Sequence, residues 1–328
     1  MRYSFIIPVY NRPDEIDELL DSLTRQRLTD FEVLVIEDGS STPCEAVVTR
    51  YRDKLNVHYY VKPNSGPGQT RNYGAARAQG EYLLILDSDC MAPPGYLEAV
   101  EHELTTLPAD AFGGPDRAHP SFTPIQKAIN YSMTSFFTTG GIRGGKKKMD
   151  KFYPRSFNMG ICREVYRALG GFADMRFGED IDFSIRIFKG GYRCRLFPEA
   201  WVYHKRRTDF RKFFKQVYNS GIARINLYKK YPASLKMVHL LPALFTLGVA
   251  VLLAGVPFCR YSILPIALYA LLVWVDATLR NRSVRVGSYA VVAAFVQLAG
   301  YGAGFWYAWW RRCVRGKGEF EAFRKNFY

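Results

Sequence analysis

The sequence predicts an α/β domain built around a mostly parallel sheet and followed by C-terminal transmembrane helices. Through roughly the first two thirds of the chain, short apolar runs alternate with helical patterns, which is the order of β-α-β units. Beyond about residue 238 this alternation gives way to long apolar segments. The chain has 328 residues, of which 48% are hydrophobic, so it can bury a full core.

The charge and the cysteines limit the possible partners and the compartment. A net charge of +15 indicates an anionic partner, which can be a nucleic acid, a phosphorylated small molecule or an anionic membrane surface. The six cysteines show no CxxC pair and no zinc spacing, so they favour a reducing compartment. The N-terminus lacks the pattern of a signal peptide, and we expect the part before residue 238 to stay in the cytosol.

Four strands and one helix are predicted near the N-terminus. The predicted strands are Ser4 to Val9, Glu32 to Glu37, Val57 to Val61 and Tyr82 to Asp87. After the first strand, the pattern predicts a helix with Asn11 as a possible N-cap and Pro13 in its first turn. Its apolar face, which should cover the sheet, consists of Ile16, Leu19, Leu20 and Leu23.

Three apolar segments in the C-terminal part are long enough, or nearly so, to cross a membrane. They are Val238 to Phe258, Ser262 to Leu279 and Gly287 to Trp310. The alternative is a buried helical domain. Basic residues precede the first segment, separate the second from the third and follow the third, so orientation by charge is ambiguous. Since only Cys259 to Tyr261 separate the first two segments, a re-entrant hairpin remains an alternative to three crossings.

A basic stretch with interleaved aromatic residues precedes the first apolar segment. It reads HKRRTDFRKFFKQVYNSGIARINLYKKYP, and it predicts an interfacial helix on anionic lipid. RNA binding is an alternative for such a mixture. The adjacent membrane segment favours lipid, so the predicted partners include membrane lipids and no nucleic acid.

Two acids follow the fourth predicted strand. Asp87 and Asp89 lie one residue apart in the run YLLILDSD, at the carboxyl end of the strand, where ligands of parallel sheets bind. Such a pair can offer oxygen ligands to Mg²⁺ or Mn²⁺ that also holds phosphates. The alternative is an ordinary turn or helix cap ahead of the following helical pattern.

The other strand ends carry polar groups as well. Glu37, Asp38 and Gly39 end the second strand, and the first ends in the run PVYNR. The run NSGPGQTRNYG is a glycine-rich loop that opens a helix, and its amides and Arg71 can hold an anion. Because glycine-rich loops are common, the combination of these features carries the argument.

A second acidic motif, GEDIDFSIRI, begins a helical pattern. One carboxylate of Glu179 and Asp180 can act as a general base for an acceptor hydroxyl, and Asp182 can pair with Arg186 along the helix. The alternative is the usual enrichment of acids at helix N-termini. His204 follows another apolar strand and is a metal ligand or a plain polar strand end.

Taken in order, these motifs resemble family 2 glycosyltransferases with a GT-A fold. The resemblance rests on IIPVYNR, VIEDGSS, GPGQTRNYGAARAQGEYLLILDSD, NMGICREVYRALGGF and GEDIDFSIRI, and it covers about residues 1 to 210. It implies that the nucleotide of a sugar donor contacts a set of residues near the strand ends: Pro8, Tyr10, Asn11, Asp38 and Arg71. It also implies that Asn158 lines the sugar or acceptor pocket.

The resemblance further implies the roles of the acidic motifs. Asp89 would bind the metal on the diphosphate, with Asp87 next to the ribose or the metal and His204 as a further ligand. Asp180 would be the general base and Glu179 its orienting partner. The expected reaction is a single displacement that inverts the anomeric configuration.

The expected activity is the transfer of one sugar, with Mg²⁺ or Mn²⁺, from a UDP- or GDP-sugar to a hydroxyl of a lipid-linked glycan or another membrane-associated acceptor. The QxxRW motif of processive synthases is missing after the second acidic motif, where the basic helix has QVYNSG. The alternatives are a polyprenyl-phosphate mannosyl or glucosyl synthase and a non-catalytic membrane scaffold.

The expected organisation has three parts. Residues 1–208 form the GT-A domain, 209–237 the interfacial helix region, and 238–328 the two or three transmembrane helices with a basic tail. We expect a multi-pass protein with its catalytic domain on the cytoplasmic face. Between the sheet and the second acidic motif, residues 121–156 are expected to form an acceptor-side loop on the membrane or, alternatively, a plain surface insertion.

Overall fold

The structure, a computed structural model, describes residues 1–140, 152–175 and 177–320, and these form two compact units. The first unit contains Met1–His119, the described part of the chain from residue 152 to His204, and Phe320. The second contains residues 120–140 and Lys205–Glu319. The sequence-based boundary at residue 208 is close to this division, but it did not separate residues 120–140 from the first unit.

The strands and helices are numbered in chain order. The strands are β1 (Tyr3–Val9), β2 (Phe31–Asp38), β3 (Val57–Lys62), β4 (Tyr82–Leu86), β5 (Cys90–Met91), β6 (Ala111–Gly113), β7 (Asp116–Arg117), β8 (Asn158–Cys162), β9 (Cys194–Leu196) and β10 (Val202–His204). The helices are α1 (Pro13–Thr24), α2 (Glu45–Thr49), α3 (Pro67–Ala75), α4 (Tyr96–Thr106), α5 (Pro124–Thr134), α6 (Phe136–Thr139), α7 (Arg163–Ala168), α8 (Glu179–Lys189), α9 (Phe210–Lys230), α10 (Leu241–Gly255), α11 (Leu264–Asn281) and α12 (Val284–Trp309).

Two sheets organise the first unit. The larger sheet has the order β3-β2-β1-β4-β8-β6-β9 among the described residues. Its first four strands are parallel, whereas β8 runs antiparallel to both β4 and β6. The smaller sheet has the order β5-β10-β7. The prediction of an α/β fold with a mostly parallel sheet is confirmed.

Helices cover both faces of the larger sheet, because its central strands are apolar on both sides. Along β1, Phe5 and Ile7 pack into one core with residues of α1 and α4, and Ile6 packs into the other core with residues of α3 and α8. Near-continuous apolar strands of this kind are typical of a parallel sheet buried on both faces. The four predicted strands form within one residue of their expected ends.

The second unit is helical and has its own core. That core takes residues from α5, α9, α11 and α12, with fully buried Phe213, Val273 and Ala290. At the edge of this core, Asp276 accepts a hydrogen bond from the hydroxyl of Tyr131 at 2.6 Å and one from Nε of Arg280 at 2.9 Å. The segment that we expected to be an acceptor-side loop therefore contains α5 and α6, and its glycine- and lysine-rich run at 141–151 lies outside the described residues.

Two helical segments of the second unit are long and apolar enough to cross a membrane. By length and composition they are Arg260–Asn281 and Val284–Val314. The first predicted segment is different, because its helix α10 has only 15 residues. At 1.5 Å per residue that is about 22 Å, shorter than the roughly 30 Å hydrocarbon layer.

Candidate active site

The carboxyl ends of β1, β2 and β4 lie side by side, because these strands pair in parallel. Asp38 is the last residue of β2, and Asp87 directly follows Leu86 at the end of β4. In parallel sheets this edge is where ligands bind. The strand-end acids that the sequence predicted therefore share one edge of the sheet.

Arg71 joins the two acidic motifs. Its guanidinium, carried by α3, donates from Nη2 to Asp87 Oδ1 at 2.7 Å and from Nη1 to Glu179 Oε1 at 3.0 Å. The Arg71 side chain is only 3% exposed, and its Cζ lies 5.3 Å from the ring centroid of Phe172. A guanidinium is suited to this position because it can bind two carboxylates at once.

The second acidic motif begins α8 as predicted. Gly178 precedes the helix with a φ of +84°, a conformation that favours glycine. Burial raises the pKa of the next residue, Glu179, and the carboxylate of Asp180 raises it further, to about 7, although Arg71 opposes the shift. Asp180 has a more open side chain, 16% exposed, and its Oδ2 accepts from Arg155 Nη1 at 3.0 Å.

The smaller sheet collects a second set of polar side chains. In its register, His204 of β10 lies opposite Cys90, and Val202 lies opposite Asp116. As a result, His204 Nε2 is 3.3 Å from Asp89 Oδ1, and His204 Nδ1 is 3.9 Å from Asp116 Oδ2. These residues come from three separate parts of the sequence.

The carboxylate of Asp89 is held ionised. Burial alone would raise its pKa, but the neighbouring His204 and Arg12 outweigh burial and keep the pKa well below the usual range of an aspartate. Arg12 Nη1 lies 2.5 Å from Asp89 Oδ2. An ionised carboxylate and a neighbouring imidazole are both ligands that suit a divalent cation.

The residues around Asp89 fit a divalent cation. Asp89 Oδ1 and His204 Nδ1 are buried, and neither has a hydrogen-bond partner in the part of the chain that the structure describes. The Sγ atom of Cys90 lies in the same group, whose ligand atoms are within 4.8 Å of one another. Burial raises the pKa of this thiol well above its usual value, and Sγ donates to the carbonyl of Phe157 at 3.4 Å, so Cys90 remains a thiol. Asp89 and His204 are thus the better ligand pair.

The glycine-rich loop does bind an anion, but that anion is a side chain of the protein. Asp38 is fully buried, and its two oxygens accept from the amides of Ser65 and Gly66 at 3.0 and 2.9 Å. Lys62 Nζ donates to the same carboxylate at 2.6 Å. Asp38 therefore holds the start of α3, which carries Arg71, in place. Its contact with a donor stays a prediction.

The remaining predicted donor residues have different surroundings. Pro8 is buried within β1, and Tyr10 just after it is half-buried. Asn158 is buried, with its Nδ2 donating to the carbonyl of Ala200 and its Oδ1 accepting from the hydroxyl of Tyr96, both at 2.8 Å. Both ends of this amide bond to the surrounding protein, so its place in a sugar or acceptor pocket stays a prediction.

The prediction that Asn11 caps α1 is wrong. Helix α1 begins at Pro13, and the residue at its N-cap is Arg12, whose side chain makes no capping hydrogen bond. Asn11 has a φ of +53°, and its Oδ1 accepts from the amide of Thr42 at 2.9 Å. The left-handed backbone turns the Asn11 side chain toward the loop after β2 and away from the helix. Its role as a donor contact stays a prediction.

Three charged residues of the site were not assigned a role from the sequence. Arg12 pairs with Asp89, Arg155 with Asp180, and Asp116 lies behind His204. Arg12 stands in the strand-end run PVYNR, which gave a local signal. Asp116 and Arg155 had none, because their contacts depend on how distant strands pair.

Comparison with solved structures identifies the fold. A mannosyltransferase from Pyrobaculum calidifontis, solved in complex with GDP-Man and Mn²⁺, is similar over 90% of this chain and 86% of that chain, with a TM-score of 0.63 and 20% identity. Staphylococcus aureus TarS 1-349, solved in complex with UDP-GlcNAc, is similar over 97% of this chain and 93% of that chain, with a TM-score of 0.51 and 20% identity. At this identity the likeness establishes the fold, which is that of GT-A glycosyltransferases.

Residues 4–170 match the sequence profile of Glycosyl transferase family 2, and the chain belongs to that family. The poly(ribitol-phosphate) beta-N-acetylglucosaminyltransferase TarS of S. aureus is 43% identical over 93 residues, which are 27% of this chain and 16% of that protein. The validoxylamine A glucosyltransferase of Streptomyces hygroscopicus subsp. jinggangensis is 39% identical over 228 residues, which are 60% of this chain and 54% of that protein. The alignments thus span less than two thirds of the length of either relative.

Proposed function

We propose that this chain transfers one sugar from a nucleotide-sugar donor to a hydroxyl of a lipid-linked or other membrane-associated acceptor, with inversion of the anomeric configuration. The observation that carries the proposal is the bridge through Arg71, which joins Asp87 of the first acidic motif to Glu179 of the second. Sugar transfer needs the motif that would bind the donor and the motif that would activate the acceptor in one place. The complexes of related folds with UDP-GlcNAc and GDP-Man support a UDP- or GDP-sugar as the donor.

Asp89 and His204 would hold a divalent cation, and Asp116 Oδ2, 3.9 Å from the other ring nitrogen of the imidazole, would help to orient the ring. Such a cation, when bound, supplies positive charge that stabilises a nucleoside diphosphate as it leaves. An imidazole ligand favours Mn²⁺, since Mg²⁺ prefers oxygen ligands. The complex of the similar mannosyltransferase with Mn²⁺ is consistent with this choice.

The chain's own residues account for the rest of the reaction. Asp180 accepts the proton of the acceptor hydroxyl as the oxygen attacks the anomeric carbon. Glu179, fixed by Arg71, keeps the N-terminal turn of α8 in position. The base and the leaving group lie on opposite faces of the sugar in a single displacement, so the configuration inverts.

One observation favours a second candidate, transfer to a polyprenyl phosphate. Arg155 lies 3.0 Å from Asp180, and its side chain is 32% exposed. A cation at this point suits an acceptor that already carries a negative charge. Such an acceptor has little need of a general base.

A donor screen tests the proposal. Purified full-length protein in lipid would be offered UDP-, GDP- and dTDP-sugars with Mn²⁺ or Mg²⁺, and release of nucleoside diphosphate would be followed with and without a membrane lipid extract. We expect lipid-stimulated release from one donor. No release from any donor would contradict catalysis as proposed and favour a non-catalytic scaffold.

Two substitutions then separate the acceptor classes. Transfer to a hydroxyl predicts that Asp180→Asn lowers kcat by about 10²–10⁴-fold and that Arg155→Gln has a small effect. Transfer to a phosphate predicts the reverse, with a raised acceptor KM for Arg155→Gln. Asp53→Asn, an exposed change in the turn before β3, is the matched control and should leave both constants unchanged.

A further inference from the structure

Helix α12 is the most apolar long segment after α11, yet protein covers most of it. Every residue of this fully described helix from Ala293 to Trp306 is buried or half-buried. Of the 18 most apolar consecutive residues in the segment that contains α12, 44% are buried, against 11% in the segment that contains α11. A helix surrounded by lipid would instead expose apolar side chains along its length.

Helix α9 lies along nearly the whole of α12. The ring centroids of Phe210 and Tyr289 are 6.3 Å apart, and those of Tyr218 and Tyr307 are 6.4 Å apart. Farther along, Arg312 donates to the side-chain oxygen of Asn226. Counted along α9 from Phe210 to Asn226, at 1.5 Å per residue, this contact extends about 24 Å, which is most of the roughly 30 Å thickness of a hydrocarbon layer.

The approach of the two helices is close. A Cβ on Gly304 of α12 would lie 2.0 Å from the carbonyl oxygen of Tyr218, and a Cβ on Gly221 of α9 would lie 2.1 Å from the carbonyl oxygen of Tyr301. Both glycines thus allow backbone contact. If α12 crossed a bilayer, α9 would have to enter it as well.

Helix α9 cannot cross a bilayer favourably. Arg211, Lys212 and Lys215 in its first two turns are exposed, as are Lys229 and Lys230 at its end. Only eight residues separate Lys215 from Arg224, and they span about 12 Å of helix. Charged side chains in hydrocarbon are costly, so the α9–α12 pair belongs outside it.

The apolar surface of the second unit is concentrated in a different place, the hairpin formed by α10 and α11. Thr246 donates to the carbonyl of Leu298 at 3.2 Å, and the rings of Tyr269 and Phe295 are 5.7 Å apart, so the base of the hairpin rests on α12. Between these two points, from Leu247 to Leu268, no residue of this described segment is buried. Phe258 at the tip is 92% exposed.

We infer that the α10–α11 hairpin enters the membrane and returns to the same face, while α9 and α12 stay outside the hydrocarbon. This inference rests on the membrane association proposed above, and it selects the re-entrant hairpin over the three crossings, both of which the sequence left open. The partner is a bilayer with anionic headgroups, because Lys229, Lys230 and Lys236 precede the hairpin and Arg280, Arg282 and Arg285 follow it. If only the hairpin enters the membrane, every basic cluster lies on the same side of it. The distribution of basic residues then no longer leaves the orientation of the chain ambiguous.

Sided labelling tests the arrangement. Single changes Asp53→Cys, Val284→Cys and Gly318→Cys, all at exposed positions, would be made in the full chain. An impermeant maleimide would be applied to vesicles of each orientation, and the labelled peptides identified by mass spectrometry. We expect all three positions to react from the same face. Crossings by α11 and α12 alone would make position 284 react from the opposite face, and three crossings would make position 318 do so. Either result would overturn the inference.

A matched pair of aspartate substitutions tests which surface meets lipid. Val251 of α10 is 63% exposed and Val292 of α12 is 45% exposed. We expect Val251→Asp to lower the membrane-bound fraction in a flotation assay with anionic vesicles at least tenfold, and Val292→Asp to leave it unchanged. Equal loss in both variants would contradict the hairpin.

The membrane-binding test can fail independently of the proposed glycosyltransferase reaction. If the wild-type chain does not float with vesicles and remains a monomer or self-associates in solution, the hairpin inference fails, because its surface then faces solvent or a second copy. Nucleoside diphosphate release by the same preparation reports independently on the glycosyltransferase activity.

Discussion

Replacing Arg71 with methionine removes the buried cation that the buried carboxylate of Glu179 and the half-buried carboxylate of Asp87 share. Asp87 and Glu179 lie 2.7 and 3.0 Å from its guanidinium. Removing one partner of a buried ion pair is expected to destabilise a protein by about 3–5 kcal/mol, because the remaining charge is left uncompensated. We therefore expect a loss of this size in the free energy of unfolding of the first unit.

The loss should depend on pH through Glu179. Its pKa is raised from 4.5 to about 7 in the folded protein, so its contribution to stability is fully present below about pH 4.5 and is lost as the pH rises through 7. A rise of the pKa from 4.5 to about 7 corresponds to roughly 3 kcal/mol. Without Arg71 the pKa of Glu179 rises further, so the loss continues above pH 7. The difference between wild type and Arg71→Met should therefore grow from pH 6 to pH 8.5.

Hydrogen exchange of peptides from β4 and β8 in the full-length protein measures this free energy within the first unit. Arg77→Met is the control, because Arg77 is exposed and its guanidinium lies over the ring of Tyr73 at 3.5 Å. We expect that control to cost less than about 1 kcal/mol. A loss from Arg71→Met that is as small as the control's, or that is the same at both pH values, would refute the coupling between the two motifs.

Two further predictions concern the residues around the cation site and the packing beneath it. Asp116→Asn should weaken Mn²⁺ binding, measured by calorimetry, by about 10–100-fold, because a carboxylate behind a ligating imidazole fixes its orientation. Asp53→Asn should leave the Mn²⁺ affinity unchanged, and equal affinities for all three proteins would count against the role of Asp116. Gly114→Ala should lower the free energy of unfolding by about 3 kcal/mol or more, since its Cβ would lie 1.6 Å from the carbonyl oxygen of Ala200. Gly95→Ala is the control, because its Cβ would lie 3.5 Å from the nearest atom. This change should alter the free energy of unfolding, measured by urea titration for both variants, by less than about 0.5 kcal/mol. An equally small change for Gly114→Ala would show that the backbone segments around Gly114 and Ala200 can separate.

Local sequence patterns were sufficient for the fold of the first unit. The apolar runs of β1 to β4 and the amphipathic face of α1 are each contained in a short window, so the strands and the helix form where expected. The starts of α3 and α8 were also visible, because glycines and acids mark them. Such features depend on near neighbours in the chain.

The parts of the site that the sequence did not reveal depend on distant pairings. Asp116 reaches His204 only because β7 and β10 pair in parallel, and Arg155 reaches Asp180 from a segment that precedes β8. The prediction that Asn11 caps α1 was wrong because its backbone is left-handed and its side-chain oxygen accepts a hydrogen bond from Thr42 in another loop. In the same way, the contact between α9 and α12 decides which apolar segment is covered by protein, and hydropathy alone does not show it.

The central claim is that the two acidic motifs form one site with different tasks, and parallel measurements of binding and transfer test it most directly. Donor binding would be measured by calorimetry with Mn²⁺, and sugar transfer by single-turnover product analysis, for wild type, Asp89→Ala and Asp180→Asn. We predict that Asp89→Ala loses metal-dependent donor binding, whereas Asp180→Asn binds the donor as tightly as wild type and transfers sugar about 10²–10⁴-fold more slowly. Full transfer by Asp180→Asn, or unchanged metal-dependent binding by Asp89→Ala, would contradict the assignment.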